Sequence, residues 1–291
     1  MTAKHCPPPH PEPTVPSVRL PTGSCDAHCH IFGPGDVFPY APDRTFTPPD
    51  VSRHELRRRH DHLGLDRAVI VQSACHGTDH AALLDALRAD PDRYRGVALI
   101  TAGTSDAAVA ELHAAGVRGF RLNFLPHLGA APAPETIAAL VRKVAPYGWH
   151  AQIHVAGDGV REMADRIRAI EIPVVVDHMA RVDLRQGLDG PAVESLLRLL
   201  DDGVRVKLSG ADRLSVTGPP YHDAADLARL LAAHAPDRVL WGTDFPHPNI
   251  TGPSPDDGAL TDLIARIAPT AEARHRLLVA NPADLYGFPP A

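Results

Sequence analysis

The sequence predicts an α/β fold, a single (β/α)8 TIM-like barrel. Three features predict it: eight short strand-like runs, helical stretches between them, and polar residues gathered where the runs end. The runs are SCDAHCHI (24–31), RAVIVQS (67–73), YRGVALI (94–100), GVRGFRLNF (116–124), WHAQIHV (149–155), PVVVDHM (173–179), VRVKLSG (204–210) and RVLWGTD (238–244), each rich in β-branched or apolar residues. Between them lie DHAALLDALRAD, SDAAVAELHAAG, PETIAALVRKVAPYG, GVREMADRIRAI, AVESLLRLLDDG and AADLARLLAAHAP, whose apolar residues recur at helical spacing. Strands alternating with helices imply parallel pairing through crossover connections.

Residues 1–22 precede this pattern. They are rich in proline and carry no apolar period, so they read as an extended arm over the surface, with the barrel occupying 23–291. The N-terminus lacks an apolar signal-peptide core, and no run approaches the roughly 18 apolar residues of a membrane span, so a cytoplasmic protein is expected. Cys6, Cys25, Cys29 and Cys75 form no C-x-x-C pair and read as reduced thiols. A net charge of -6 offers no excess of Lys and Arg for nucleic acid or anionic lipid, which leaves small molecules as the expected partners. A barrel of this size often pairs as a homodimer, although nothing in the chain marks the interface.

In a (β/α)8 barrel the active site lies at the C-terminal ends of the strands. Those positions hold His28 and His30, Cys75 and His76, Arg121 and Asn123, His154, His178, Ser209 and Asp244. His28 and His30 flank one residue, and the period of two puts both imidazoles on one face of the first strand. Alone, such a pair is more often a structural feature than a pincer for a metal or an oxyanion. A lone His154 or His178 would equally be a buried imidazole bonded to backbone. With Asp244 in WGTDFPHPN closing the eighth run, four imidazoles and a carboxylate are directed at one point.

The segments DAHCHIFGP, VIVQSACHGTD, GVRGFRLNF, VVVDHMARVD, KLSGADRLS, WGTDFPHPN and NPADLYGF, spread over about 24–288, resemble the amidohydrolase-related lactonases. Within that family the resemblance is to the 2-pyrone-4,6-dicarboxylate lactonases and the muconolactone-type hydrolases. The resemblance implies that His28, His30, His178 and Asp244 surround the scissile carbonyl. Asp244 is then the general base that takes a proton from water and returns it to the leaving oxygen, while a histidine cluster or a metal polarises the carbonyl. Some pyrone dicarboxylate lactonases work without a metal and lack a histidine on the fifth strand. His154 stands there in this chain and completes a set of His28, His30, His154 and Asp244 that suits one divalent ion, Zn2+ by its ligand chemistry. No lysine lies on the fourth run for a bridging carbamate; Lys207 reads as an amine paired with a carboxylate inside the barrel.

Arg121 and Arg213 follow strand ends, and a guanidinium fork suits a carboxylate or sulfonate, so both are expected to bind an anionic substrate. The alternative for each is an inter-loop ion pair. His76 and Asn123 could add hydrogen bonds to the substrate. His127 stands where the resembling lactonases have an arginine, and Ala74 where they have a serine. The expected activity is therefore hydrolysis of the ester bond of a small carboxylated lactone. Decarboxylation or hydration of an unsaturated acid on the same barrel is the alternative, and a non-catalytic anion-binding barrel a third.

Overall fold

The computed structural model describes residues 3–128 and 130–290. Eight parallel strands follow one another around the sheet in chain order: β1 Cys25–Cys29, β2 Arg67–Val71, β3 Tyr94–Ala98, β4 Val117–Asn123, β5 His150–His154, β6 Val174–Val176, β7 Arg205–Lys207 and β8 Val239–Leu240. Each strand pairs in parallel with the next from β1 to β8. This is the (β/α)8 barrel, nearly closed.

The seam between β8 and β1 is held differently. The eighth run was expected to span 238–244, but its ladder is two residues long because the following segment turns its backbone carbonyls and amides to the chain of β1. Ala27 N donates to Trp241 O (2.8 Å), Asp244 N to His28 O (2.8 Å) and His30 N to Phe245 O (2.7 Å). The buried Asp26 carboxylate supplies further acceptors: Oδ1 takes the amides of His28 and Thr243, each at 3.0 Å, and Oδ2 takes the Thr243 hydroxyl. Gly242 is required here, since a Cβ would lie 2.6 Å from His28 N and 2.8 Å from its Cβ. The seam thus fixes His28 and His30 against Asp244.

Helices α1 Arg53–Leu63, α2 Ala81–Ala89, α3 Asp106–Ala114, α4 Pro134–Val144, α5 Pro191–Asp201 and α6 His222–His234 pack around the strands. GVREMADRIRAI was expected as one helix and forms two short ones, Gly159–Glu162 and Ala164–Arg168. Helix α1 was not anticipated. Its Ser52–Glu55 capping box starts it and left-handed Gly64 ends it. Alternate strand residues divide between two apolar layers: Ala68, Ile70, Val174 and Val176 pack with the helices, while Val69, Val71 and Val175 join Leu240, Tyr286 and Phe288. Trp149 and Trp241 are buried among the helix-facing residues.

The N-terminal residues run across this body. Lys4–His5 pairs with Phe46–Thr47, Thr14 N donates to Asp256 Oδ1 (3.0 Å) and Ser17 N to Asp262 Oδ1 (2.7 Å). Among the described residues no helix is long and apolar enough to cross a membrane.

Candidate active site

His28 lies near the end of β1 and His30 just past it, and both rings face Asp244. Asp244 Oδ1 lies 3.3 Å from His30 Nε2, 3.7 Å from His28 Nε2 and 3.9 Å from His178 Nε2. All four residues are buried. The other carboxylate oxygen, Oδ2, accepts from Arg213 Nε at 2.6 Å. Burial alone would raise the pKa of Asp244; the charge of Arg213, with His178 and His30 beside it, outweighs burial and holds the carboxyl well below its usual range.

Each imidazole is set by its other nitrogen. His30 Nδ1 donates to Val71 O at 2.8 Å, and His178 Nδ1 meets Ser209 Oγ at 2.8 Å. His28 Nδ1 lies between Lys207 Nζ, 3.3 Å away, and Asp177 Oδ1, 3.2 Å away. The Lys207 contact has hydrogen-bond geometry, whereas Asp177 Oδ1 has no hydrogen-bond partner and His28 Nε2 none either. Burial, reinforced by Lys207, lowers the His28 pKa to about 3, so the ring is neutral. His178 is held well below its ordinary value, chiefly by burial, and so is His154.

Beneath the rings lies a fully buried polar layer. Arg121 Nε donates to Asp177 Oδ2 (2.8 Å), Gln152 Nε2 donates to the same oxygen (3.0 Å), and Lys207 Nζ donates to Gln152 Oε1 (2.7 Å). Burial lowers the Lys207 pKa to about 8, with Asp177 3.8 Å away opposing the shift. Lys207 is therefore a support of the site from below, as an amine paired with a neighbouring carboxylate.

Above the rings opens a cleft enclosing roughly 450 Å3, mouth included, on a scale that suits a small ligand. His30, His154, His178, Asp244, Arg121, Arg213 and His127 all line it. Two expected residues face elsewhere. His76 Nδ1 meets Pro39 O at 3.3 Å and its Nε2 accepts from Gly33 N at 3.4 Å, so both nitrogens are spent on the loops around it. Asn123 is paired with His154, Oδ1 to Nδ1 at 3.2 Å, and does not reach the cleft wall. His247, in the loop after Asp244, turns away to Asp257 Oδ1 at 2.8 Å.

His28, His30 and Asp244 bring ligand-type atoms within 4.8 Å of one another and could hold a metal ion. They fall short of the expected zinc set. His154 stands outside that group, Arg213 already neutralises Asp244, and Arg121 and Lys207 add positive charge close by. A dication would meet an unfavourable field there.

Arg181, which sequence reasoning missed, also lines the cleft. It ends a turn in which His178, Met179, Ala180 and Arg181 have φ of 51°, 49°, 51° and 44°. Four successive non-glycine residues in the left-handed region are costly and persist only where the surroundings enforce them. No signal in DHMAR foretold it, since none of its residues from His178 on favours positive φ.

Comparison with known proteins agrees with this architecture. The family model described as Amidohydrolase matches residues 25–288. The chain is 43% identical to the 2-pyrone-4,6-dicarboxylate hydrolase of Comamonas testosteroni over 284 residues, covering 94% of this chain and 93% of that one. It is 37% identical to the 4-sulfomuconolactone hydrolase of Rhizobium radiobacter over 275 residues, 93% and 92% of the two chains. A crystal structure of a probable 2-pyrone-4,6-dicarboxylic acid hydrolase from Acinetobacter baumannii, with citric acid bound, superposes with a TM-score of 0.77 at 25% identity, over 92% of this chain and all of that one. With its eight-stranded barrel and its match over nearly the whole length, the chain belongs to the amidohydrolase family.

Proposed function

We propose that the protein hydrolyses the ester bond of a small anionic lactone. The observation that carries this reading is the Asp244 oxygen not taken by Arg213, ringed by three imidazole Nε2 atoms at 3.3 to 3.9 Å under a cleft walled by arginines. An ionised carboxylate in that position accepts the proton of a water lying between it and the lactone carbonyl. A histidine whose Nε2 carries the proton donates to the carbonyl oxygen as it becomes negative; His30, whose Nδ1–H goes to Val71 O, does so only when protonated.

His28 is the donor best defined among them. With Lys207 donating to Nδ1, the neutral ring carries its proton on Nε2, which has no partner; this tautomer, and not the one that gives Nδ1–H to Asp177, is the one the reading needs. A preorganised donor with no competing acceptor is what an oxyanion requires. When the tetrahedral intermediate collapses, the ring C–O bond breaks and the proton passes from Asp244 to the leaving oxygen. Arg213 favours that second transfer, because it makes the protonated carboxyl a strong acid. One water is consumed and an open-chain hydroxy or keto acid is released.

The reading also rests on likeness to relatives named for hydrolysis of 2-pyrone-4,6-dicarboxylate and 4-sulfomuconolactone, both anionic rings. Asp244→Asn tests it. The variant keeps the shape of the site, and lactone opening, followed by acid release, is expected to fall by about 10³-fold or more, in the upper part of the range for losing a general base together with its charge. Turnover within tenfold of the parent would remove Asp244 from the base role.

A further inference from the structure

Loops wall the outer cleft from two sides. One follows β1 and contributes Phe46; the other follows Asp244 and contributes Pro248 and Asn249. The second loop is strained: Asp244, His247 and Asn249 have φ of 62°, 60° and 62°, non-glycine residues in the left-handed region close together in the chain. Such a segment keeps its shape only where its surroundings enforce it. Much of that enforcement comes from the N-terminal arm, which the lactone chemistry does not use.

Cys6 joins the two walls. Its N donates to Thr47 O at 2.9 Å, beside Phe46, and its Sγ accepts from Asn249 N at 3.2 Å. Its side chain is half-buried against the cluster of Phe32, Phe46 and Cys75. On either side of it the arm repeats the connection: Lys4 Nζ donates to Ile250 O (3.0 Å), Ser254 Oγ to Pro8 O (2.7 Å) and Thr14 N to Asp256 Oδ1 (3.0 Å). The arm lies so close to this region that a Cβ at Gly258 would collide with Thr14 O. Pro7, Pro8, Pro9, Pro11 and Pro13 stiffen the stretch, so docking it costs little backbone entropy and it can serve as a brace.

The connection continues into the site. Pro248 O, adjoining the amide that Cys6 holds, accepts from Arg213 Nη2 at 2.9 Å, and Arg213 Nε donates to Asp244 Oδ2 at 2.6 Å. We propose that the N-terminal arm is part of the active site, with Cys6 a positioning residue that clasps the Phe46 loop to the Pro248–Asn249 loop and, through Pro248 and Arg213, fixes the carboxylate of Asp244. This rests on the reading of Asp244 as the base of a lactonase and adds to it the segment that holds the base in place. Burial raises the Cys6 pKa, so the sulfur accepts as a neutral thiol, and such a bond is weak in itself. Its effect is geometric, because a misplacement of about 1 Å at a reacting group can cost about 10²-fold in rate.

Two measurements test this in the full chain: kcat and KM for 2-pyrone-4,6-dicarboxylate, and hydrogen–deuterium exchange of the amides of 245–252. The proteins are the parent, Cys6→Val, Cys6→Ser and Val15→Ala. Cys6→Val keeps the bulk and removes the acceptor, whereas Cys6→Ser keeps an acceptor. Val15, 74% exposed on the same arm, controls for a change that touches neither loop. In Cys6→Val kcat is expected to fall about tenfold, the scale of one lost hydrogen bond, with KM moving less, while Cys6→Ser stays within about threefold of the parent. Exchange at 245–252 should quicken in Cys6→Val and stay near the parent's rate in Cys6→Ser and Val15→Ala. A role in packing alone predicts the reverse order, since Val matches a half-buried thiol in volume and apolarity better than Ser does.

Parent-like kcat in a folded Cys6→Val overturns the proposal, as does unchanged exchange at 245–252 in that variant. Equal losses in Cys6→Ser and Cys6→Val are likewise a refutation, because the acceptor would then not be what matters. If Cys6→Val does not fold, Cys6→Ala, which also lacks the acceptor, decides by the same two readouts. A parent that opens no lactone defeats the hydrolase reading, and exchange then decides the clasp alone: faster in Cys6→Val than in Cys6→Ser if it stands, equal in the two if it falls.

Discussion

Neighbours on opposite sides of His28 decide what the site can hold. Lys207 Nζ and Asp177 Oδ1 lie 3.3 and 3.2 Å from its Nδ1: donation from Lys207 leaves the ring's proton on Nε2, whereas an Nδ1–H given to Asp177 leaves Nε2 a lone pair for a metal. His154, the histidine expected to complete a four-ligand zinc site, stands outside the group formed by His28, His30 and Asp244, although its bond to Asn123 through Nδ1 leaves Nε2 free. With Lys207 as the donor, activity is expected to survive dialysis against a strong chelator, with less than one equivalent of zinc per chain by elemental analysis. Loss of turnover on chelation, restored by Zn2+, would show instead that His28 takes the other tautomer and serves as a ligand.

The residues at issue were only partly legible in sequence. His28, His30, His178 and Asp244 could be found because each closes a strand, and strand ends share one pocket. Strand-end position did not distinguish Arg121 and Arg213 facing a ligand from the same residues paired with Asp177 and Asp244; the structure shows cleft-lining residues that are also paired. His76 satisfied the same rule and is nevertheless held by Pro39 and Gly33. Loop folding over the strand ends decides such cases, and period and spacing carry no record of it.

At the level of elements, the strands were legible because buried parallel strands are short β-branched runs between turns. Helix α1 was not, since RHELRRRHDHL has few apolar residues to reveal its period. Its S-x-x-E start was the available cue. The left-handed turn 178–181 was beyond reach because nothing in HMAR favours positive φ; its conformation comes from tertiary context.

That turn makes a prediction about stability. A left-handed alanine costs roughly 1–2 kcal/mol, so Ala180→Gly should recover much of that, against about 0.8 kcal/mol for the lost buried methyl and a similar amount for the freer unfolded chain. The unfolding free energy should stay within about 1 kcal/mol of the parent. The same change at Ala228, buried in α6 with ordinary helical geometry, has no strain to relieve and should cost about 2 kcal/mol. Urea unfolding of the two variants measures the contrast. Equal losses at both sites would mean that position 180 carries no strain.

For the whole molecule, buried neutral histidines make stability depend on pH. His150 is the clearest case, lying at the far end of β5 from the cleft, with Nδ1 bonded to Arg118 O at 2.8 Å and Nε2 unpartnered. Its ring packs against Gly119, where a Cβ would collide with it, and edge-on to Tyr286 at 5.3 Å. Burial first, and Lys207 next, lower its pKa to about 3, with Asp177 opposing and Arg205 adding to the shift. The folded value lies below the unfolded value, so between about pH 6.5 and 3 the unfolded chain binds a proton that the native protein does not.

Stability contributed by His150 is accordingly intact above about pH 6.5 and declines as the pH falls, by up to about 1.4 kcal/mol per pH unit. His28, His154 and His178 act in the same direction. His247 acts in the opposite one, because Asp257 outweighs burial and raises its pKa, so its contribution is lost as pH rises. The difference between parent and His150→Gln isolates one group from these others. At pH 7.5 the variant should be the less stable, having lost the bond to Arg118 O and the packing on Gly119. By pH 5 the parent's advantage should shrink by roughly 2 kcal/mol, read as converging denaturant midpoints. A gap that stays constant between those two pH values would mean that His150 is already protonated in the native barrel, and that Asp177, not burial, governs the charge of the layer beneath the active site.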